Sequence, residues 1–159
     1  MDYIYTPWRY QYVSTVDDRE QECVFCDRVT RDNDRENLIV FRDNLCFAML
    51  NLYPYSTGHV MIAPYKHTGT IEELDADNLA GMMALAQRCM AAIRDAFDPQ
   101  GFNLGINIAR VAGAGITDHV HLHVVPRWSG DSNFMSVVAD TRVLPMTLDQ
   151  VWEALSERL

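Results

Sequence analysis

Short apolar runs separated by turn-forming residues occupy the first third of the chain. Runs of four to six residues rich in apolar and β-branched side chains predict strands. The predicted strands are 38–41, 45–50 and 59–63. Polar residues 42–44 form the turn between the first two strands, and a loop at 51–57 precedes the third. Pro64 ends that strand, because proline lacks the N–H that a ladder needs.

The most regular pattern is an amphipathic stripe in which apolar residues recur at steps of three and four. The stripe consists of Leu79, Met82, Met83, Ala86, Met90, Ile93 and Phe97. Asp75 suits an N-cap, and Pro99 follows the last apolar position. The pattern predicts one long helix from about Asp75 to Phe97, with the stripe facing the core.

Alternation returns after the helix, and residues 101–109 predict a strand. A loop of small residues at 111–116 and a strand at 118–126 follow. Thr147 and Gln150 have the spacing of a capping box, which predicts a terminal helix to about Arg158. The element order favours an α+β domain with a mainly antiparallel sheet, one long helix and a short C-terminal helix.

Length and charge limit the classes of function. A chain of 159 residues is most simply one domain, here 1–159, with an aromatic N-terminal arm at 1–20 and a C-terminal extension at 129–159. The net charge of −9 argues against nucleic-acid and membrane-surface partners. No apolar run has the length of a membrane span, and no signal peptide is recognised, so we expect a cytoplasmic protein.

Three of the five histidines alternate with apolar residues in the strand at 118–126. Residues i, i+2 and i+4 of a strand share one face, so His119, His121 and His123 should line one wall. Val120 and its apolar neighbours should pack behind them. Because imidazole titrates near neutrality and serves as acid, base or ligand, this segment is predicted to carry the chemistry.

Gly113 and Gly115 lie in the small-residue loop directly before this strand. Such a loop either makes a tight turn or cradles an anion with its N–H groups. The nearby imidazoles favour the anion, and a neutral imidazole is a nucleophile towards phosphorus. A catalytic metal site is the alternative, although Asp118 should face away from the histidines. Phosphoryl or nucleotidyl transfer is therefore the favoured chemistry.

Two of the four cysteines form the sequence Cys23-Val24-Phe25-Cys26. In a chain expected to be cytoplasmic, this spacing favours metal binding or redox chemistry over a structural disulfide. Cys46 lies in an apolar strand-like run and Cys89 on the apolar side of the predicted helix, and both are interpreted as small buried hydrophobic residues.

The pattern His119-x-His121-x-His123-x-x-Pro126 resembles the signature of the histidine triad (HIT) superfamily of nucleotide hydrolases and transferases. The segments at 58–60 and 111–119 resemble an inner strand and the phosphate loop of that family. Further segments resemble the branch that includes diadenosine tetraphosphate (Ap4A) phosphorylases. They are Thr6-Pro7-Trp8-Arg9, Pro126-Arg127-Trp128 and the stretch from Trp128 to Asn133, Phe134 and Met135.

The resemblance implies a role for each matching residue. His121 would be the nucleophile that takes AMP, and His123 would contact the phosphate and orient the scissile bond. His59 would support the triad from behind. Asn107 would contact phosphate, although its spacing to the triad differs by one residue from that of relatives. The remaining implied nucleotide contacts are Asn51 to the ribose, Leu52 and Trp128 to the base, and Gly113 and Gly115 to the phosphates.

The same resemblance implies a zinc site and a reaction. Cys23, Cys26, His67 and His119 would form a complete Cys₂His₂ set that holds a structural Zn²⁺, with no metal in catalysis. The chain would be a homodimer that cleaves Ap4A-like dinucleoside polyphosphates through an adenylyl-histidine, with phosphate or water as acceptor. A nucleoside phosphoramidate hydrolase and a nucleotide-binding module with incidental turnover are the alternatives.

Overall fold

The computed structural model describes residues 23–131 and 143–159. Five strands form one antiparallel sheet in the order β1-β2-β3-β5-β4. The strands are β1 (Ile39–Arg42), β2 (Cys46–Leu50), β3 (Val60–Pro64), β4 (Gly101–Ile106) and β5 (Leu122–Arg127). The helices are α1 (Val24–Val29), α2 (Ala76–Phe97) and α3 (Leu148–Ser156), with 3₁₀ turns at Ile71–Glu73 and Arg110–Ala112. This architecture confirms the predicted α+β class.

The two faces of the sheet bury different clusters. The long helix α2 and the terminal helix α3 cover one face, where Val120, Leu122 and Val124 pack in the main core. The opposite face carries a smaller cluster around Phe25, with Ile39, Phe47, Met49, Met61 and Ala63. His123 in β5, and His119 and His121 just before it, lie on this second face, as the sequence predicts.

The long helix begins and ends close to the predicted limits, but its buried face is rotated. The Asp75 carboxylate accepts a hydrogen bond from the N–H of Asn78 at 2.7 Å, which confirms the N-cap. Leu79 and Met83 were predicted in the core, yet they are 39% and 52% exposed. Leu85 and Ala92 are buried instead, and Cys89 is buried as predicted. Steps of three and four fit both sets, and only packing against the sheet distinguishes them.

Most strand limits lie within one residue of the prediction, and two differ by three residues or more. Leu38 has a φ of 61° and lies before β1 rather than in it. The strand predicted to reach residue 109 ends at Ile106, and Ala109 has a φ of 66°. The histidine strand begins at Leu122 instead of 118, because the N–H of Val120 bonds to the carbonyl of Thr68 outside the ladder. His119 and His121 therefore lie just before β5.

The C-terminal helix α3 packs against the sheet. The predicted capping box of α3 is confirmed by reciprocal bonds between Thr147 and Gln150, and the Trp152 indole donates to the carbonyl of Ile39 on edge strand β1 at 2.7 Å.

Helix α1 was not predicted. No helix within the two described ranges has the length and apolarity to cross a membrane. The predicted arm at 1–20 lies outside these ranges, so the single-domain interpretation over 1–159 stays a prediction.

Candidate functional site

Four potential metal ligands converge on the face of the sheet that carries Phe25. Cys23 and Cys26 lie at the start of α1, His67 follows β3, and His119 precedes β5. The ligand atoms of all four lie within 4.8 Å of one another. Nδ1 of His119 is 3.2 Å from Sγ of Cys23, and Nδ1 of His67 is 3.3 Å from Sγ of Cys26. A tetrahedral Zn²⁺ separates sulfur and nitrogen ligands by roughly 3.6 Å, which these distances match.

A hydrogen bond orients His119 in this cluster, and a carboxylate lies near His67. Nε2 of His119 donates to the carbonyl of Pro64 at 2.9 Å, so its Nδ1 lone pair faces the thiols. Nε2 of His67 lies 3.9 Å from the carboxylate of Asp118. Burial raises the pKa of the Cys23 thiol to about 11, because a thiolate is poorly solvated there. A donor set of two thiols and two imidazoles is the set that zinc prefers.

His121 lies between this cluster and the rest of the triad and is only 3% exposed. Its Nδ1 donates to the backbone carbonyl of His119 at 2.9 Å. A carbonyl accepts only, so Nδ1 carries the proton and Nε2 carries the lone pair. Burial lowers the pKa of His121 below its usual value, and the backbone bond opposes this shift in part. The neutral imidazole with a lone pair on Nε2 is the form that attacks phosphorus.

The Phe25 ring packs against both His119 of the metal cluster and His121. Its ring is fully buried and lies 5.0 Å from the ring of His121 and 5.1 Å from that of His119. The sequence analysis gave Phe25 no role. Its place as an aromatic residue between the two cysteines was the available signal.

His123 is 9% exposed and contacts His59. Nε2 of His59 lies 2.9 Å from Nδ1 of His123. The ring of Tyr55, another residue that the sequence analysis missed, lies 4.6 Å from the His59 ring and stacks on His123 at 5.9 Å. Asn51 also reaches His59, with Nδ2 3.4 Å from Nδ1. The structure therefore brings Asn51, His59 and His123 together.

The small-residue loop before the triad has an unusual backbone. Ala109 adopts φ 66° and ψ 160°, and Gly113 adopts φ 89°. The carbonyl of Ala109 accepts from the N–H of Ala112 at 3.1 Å and from that of Ala114 at 3.4 Å. The Asn107 amide donates to the carbonyl of Gly113 at 3.5 Å. Asn107 thus supports the loop in which Gly113 and the exposed Gly115 lie.

A cavity of about 950 Å³ opens beside His123. Among its lining residues are Tyr55, Asn103, Asn107, His123, Arg127 and Trp128. Arg127, to which no role was assigned, pairs with the carboxylate of Asp131 at 2.6 Å. Its position four residues after His123 on the same strand face was the available signal.

Leu52 does not line this cavity but a separate one of about 220 Å³. The predicted motif residues 6–9 and 133–135 lie outside the described ranges.

Comparison with known proteins gives consistent matches. The model of the HIT domain family matches residues 33–130. A Mycobacterium tuberculosis (strain H37Rv) protein named AP-4-A phosphorylase is 41% identical over 116 residues, which cover 73% of this chain and 60% of that protein. The chain thus spans about three fifths of that relative. A bis(5'-adenosyl)-triphosphatase of Dictyostelium discoideum is 30% identical over 58% of this chain and 62% of its own length.

One solved structure bears on the metal cluster. A crystal structure of a Zn-bound histidine triad family protein from Mycobacterium smegmatis is 29% identical and superposes with a TM-score of 0.70. The match covers 86% of this chain and 92% of that one.

Proposed function

The chain belongs to the HIT domain family, and from this premise we propose that it is a nucleotidyl transferase or hydrolase that cleaves dinucleoside polyphosphates. The observation that carries the proposal is the state of His121. A buried, neutral imidazole whose Nδ1–H is held by a backbone carbonyl presents its Nε2 lone pair as a nucleophile. The names of two relatives, a phosphorylase and a triphosphatase, support dinucleotides as the substrate class.

The proposed reaction has two steps. Nε2 of His121 attacks the α-phosphorus of Ap4A, the bond from phosphorus to the bridging oxygen breaks, and ATP leaves with the electron pair. AMP is then bound covalently to His121. Inorganic phosphate attacks this adduct to give ADP, or water attacks it to give AMP. Both acceptors restore the free imidazole.

His123 and the small-residue loop are proposed to hold the phosphates. His123 and Asn107 line the large cavity, and Gly113 lies within hydrogen-bond reach of Asn107. N–H donors aimed at phosphate oxygens stabilise the charge that develops in the transition state. Gly115 is assigned to the same loop, and its contact with phosphate stays a prediction.

Four residues are assigned to the nucleoside or to the support of the triad. Trp128 lines the large cavity and is assigned to the base. Asn51 is assigned to the ribose, and His59 to support of the triad. Leu52 lines the smaller cavity, which His59 also lines, and its role as a base contact stays a prediction.

We also propose that Cys23, Cys26, His67 and His119 hold a structural Zn²⁺. A metal there would crosslink α1, the loop after β3 and the segment that leads into β5, and its role would be to stabilise the fold. No step of the reaction is assigned to it. The homodimer and the cytoplasmic location stay predictions.

The test is to incubate the purified protein with Ap4A, with and without inorganic phosphate, and to separate the nucleotides by chromatography. ADP and ATP formed only with phosphate would identify a phosphorylase. AMP and ATP formed regardless of phosphate would identify a hydrolase with the same nucleophile. Absence of turnover under both conditions would contradict the proposal.

The triphosphatase relative favours a second candidate, cleavage of diadenosine triphosphate. The same assay with this shorter substrate distinguishes the two. A kcat/KM at least about tenfold higher for the triphosphate, equivalent to roughly 1.4 kcal/mol, would make it the preferred substrate.

A further inference from the structure

Two hydrogen-bond donors face Nδ1 of His59, which is 1% exposed. The backbone N–H of Tyr55 donates to it at 3.1 Å. The side-chain amide of Asn51 approaches it at 3.4 Å. The orientation of that amide is fixed, because its Oδ1 accepts from the N–H of Tyr53 at 2.9 Å and its Nδ2 must therefore face His59. Nδ1 of His59 is consequently an acceptor without a proton.

The tautomer of His59 determines the tautomer of His123. A neutral imidazole with a lone pair on Nδ1 carries its proton on Nε2. Nε2 of His59 therefore donates to Nδ1 of His123 across 2.9 Å. His123 then accepts on Nδ1 and carries its own proton on Nε2. A cationic His59 does not fit this arrangement, because its Nδ1–H would meet the N–H of Tyr55 head to head.

The neighbouring triad histidine has the opposite tautomer. His121 carries its proton on Nδ1, which donates to the carbonyl of His119. We infer that Asn51 and the amide of Tyr55 act as positioning groups: through His59 they fix His123 as an Nε2–H donor beside a His121 that offers a lone pair. This inference rests on the proposed function for its purpose, which is to separate a phosphate-binding donor from the nucleophile.

The surrounding residues hold the imidazoles of His59 and His123 in the orientation that these hydrogen bonds need. His59 precedes β3 and lies diagonally across from His123, because Met61 pairs with His123 in the ladder. The ring of Tyr55 lies against both imidazoles and limits their rotation. Asn51 thus has a function in the free protein, in addition to the ribose contact proposed for it.

The test is nitrogen NMR of the free, metal-loaded wild-type protein labelled with ¹⁵N in its histidines. The expected spectrum shows an unprotonated Nδ1 and a protonated Nε2 for His59 and His123, and the reverse for His121. A protonated Nδ1 on His123, or one tautomer shared by His121 and His123, would overturn the inference. No nucleotide is present, so a failure of the proposed function leaves this result unaffected, and the reverse also holds.

A variant tests whether Asn51 sets the tautomer of His59. Asn51→Asp keeps the size of the side chain but replaces the donor that faces His59 with an acceptor. The new carboxylate should draw a proton onto Nδ1 of His59 and displace the bond from the N–H of Tyr55, so the Nδ1 resonance should move from the unprotonated to the protonated range. Asn44→Asp is the matched control, since it adds the same charge in an exposed turn and should leave all three histidines unchanged. An unchanged His59 in a folded Asn51→Asp protein would exclude Asn51 as the determinant.

Discussion

Replacing Ala109 by glycine should stabilise the protein. Its φ of 66° and ψ of 160° lie in a region that is essentially restricted to glycine. An alanine held there costs about 1–3 kcal/mol. Ala109 is exposed, so removal of its methyl group costs little buried area. The greater freedom of glycine in the unfolded chain offsets about 0.5–1 kcal/mol of the gain. The free energy of unfolding should therefore rise by roughly 1 kcal/mol, or ~3 °C in Tm for a domain of this size.

The assay is urea denaturation of the wild type, Ala109→Gly and Ala112→Gly, with circular dichroism as the probe. Ala112 lies in the same loop, is also exposed and has an ordinary φ, so the same change there should destabilise by about 0.5–1 kcal/mol. Opposite signs for the two variants are the expected result. A destabilised Ala109→Gly, or equal effects in both variants, would refute the argument from backbone strain.

Two further predictions concern the metal cluster and pH. Cys23→Ser should lower bound zinc, measured by atomic emission, and should lower the free energy of unfolding by about 3–4 kcal/mol at zinc concentrations a few hundred times Kd or more. A metal-free variant with wild-type stability would contradict this. Because burial lowers the pKa of His121 from 6.5, the single-turnover rate of its adenylylation should stay constant from neutral pH down to that value and fall only below it. In that lower range the unfolded chain binds more protons than the folded one, so the free energy of unfolding should also decrease as pH falls. A rate that already falls above pH 6.5 would contradict the shift.

The fold was predictable where a local pattern matches a single structure. The long helix has a cap and a sustained apolar stripe, and its limits were predicted to within a residue. Which side of that helix packs on the sheet was not, because Met83 and Leu85 both satisfy helical spacing. Helix α1 has six residues and no period of its own, and the buried ring of Phe25 holds it in place through tertiary contacts.

The site was predictable in its residues and less so in its connections. The spacing of the histidines and cysteines identified the side chains that meet in the structure. The bond between His59 and His123 depends on the register of β3 against β5, and the sequence does not give that register. Tyr55 was missed because its position beside His123 depends on the same pairing, whereas Arg127 was missed although its spacing to His123 along β5 was available.

The central claim is that Nε2 of His121 takes the nucleotide. The most direct test is to mix the protein with Ap4A in the absence of phosphate, quench it in base within the first turnover, and map AMP adducts on its peptides by mass spectrometry. The account predicts one AMP on His121, and none in a His121→Ala protein whose circular dichroism matches that of the wild type. Turnover by His121→Ala, or an adduct located on His123 instead, would contradict it.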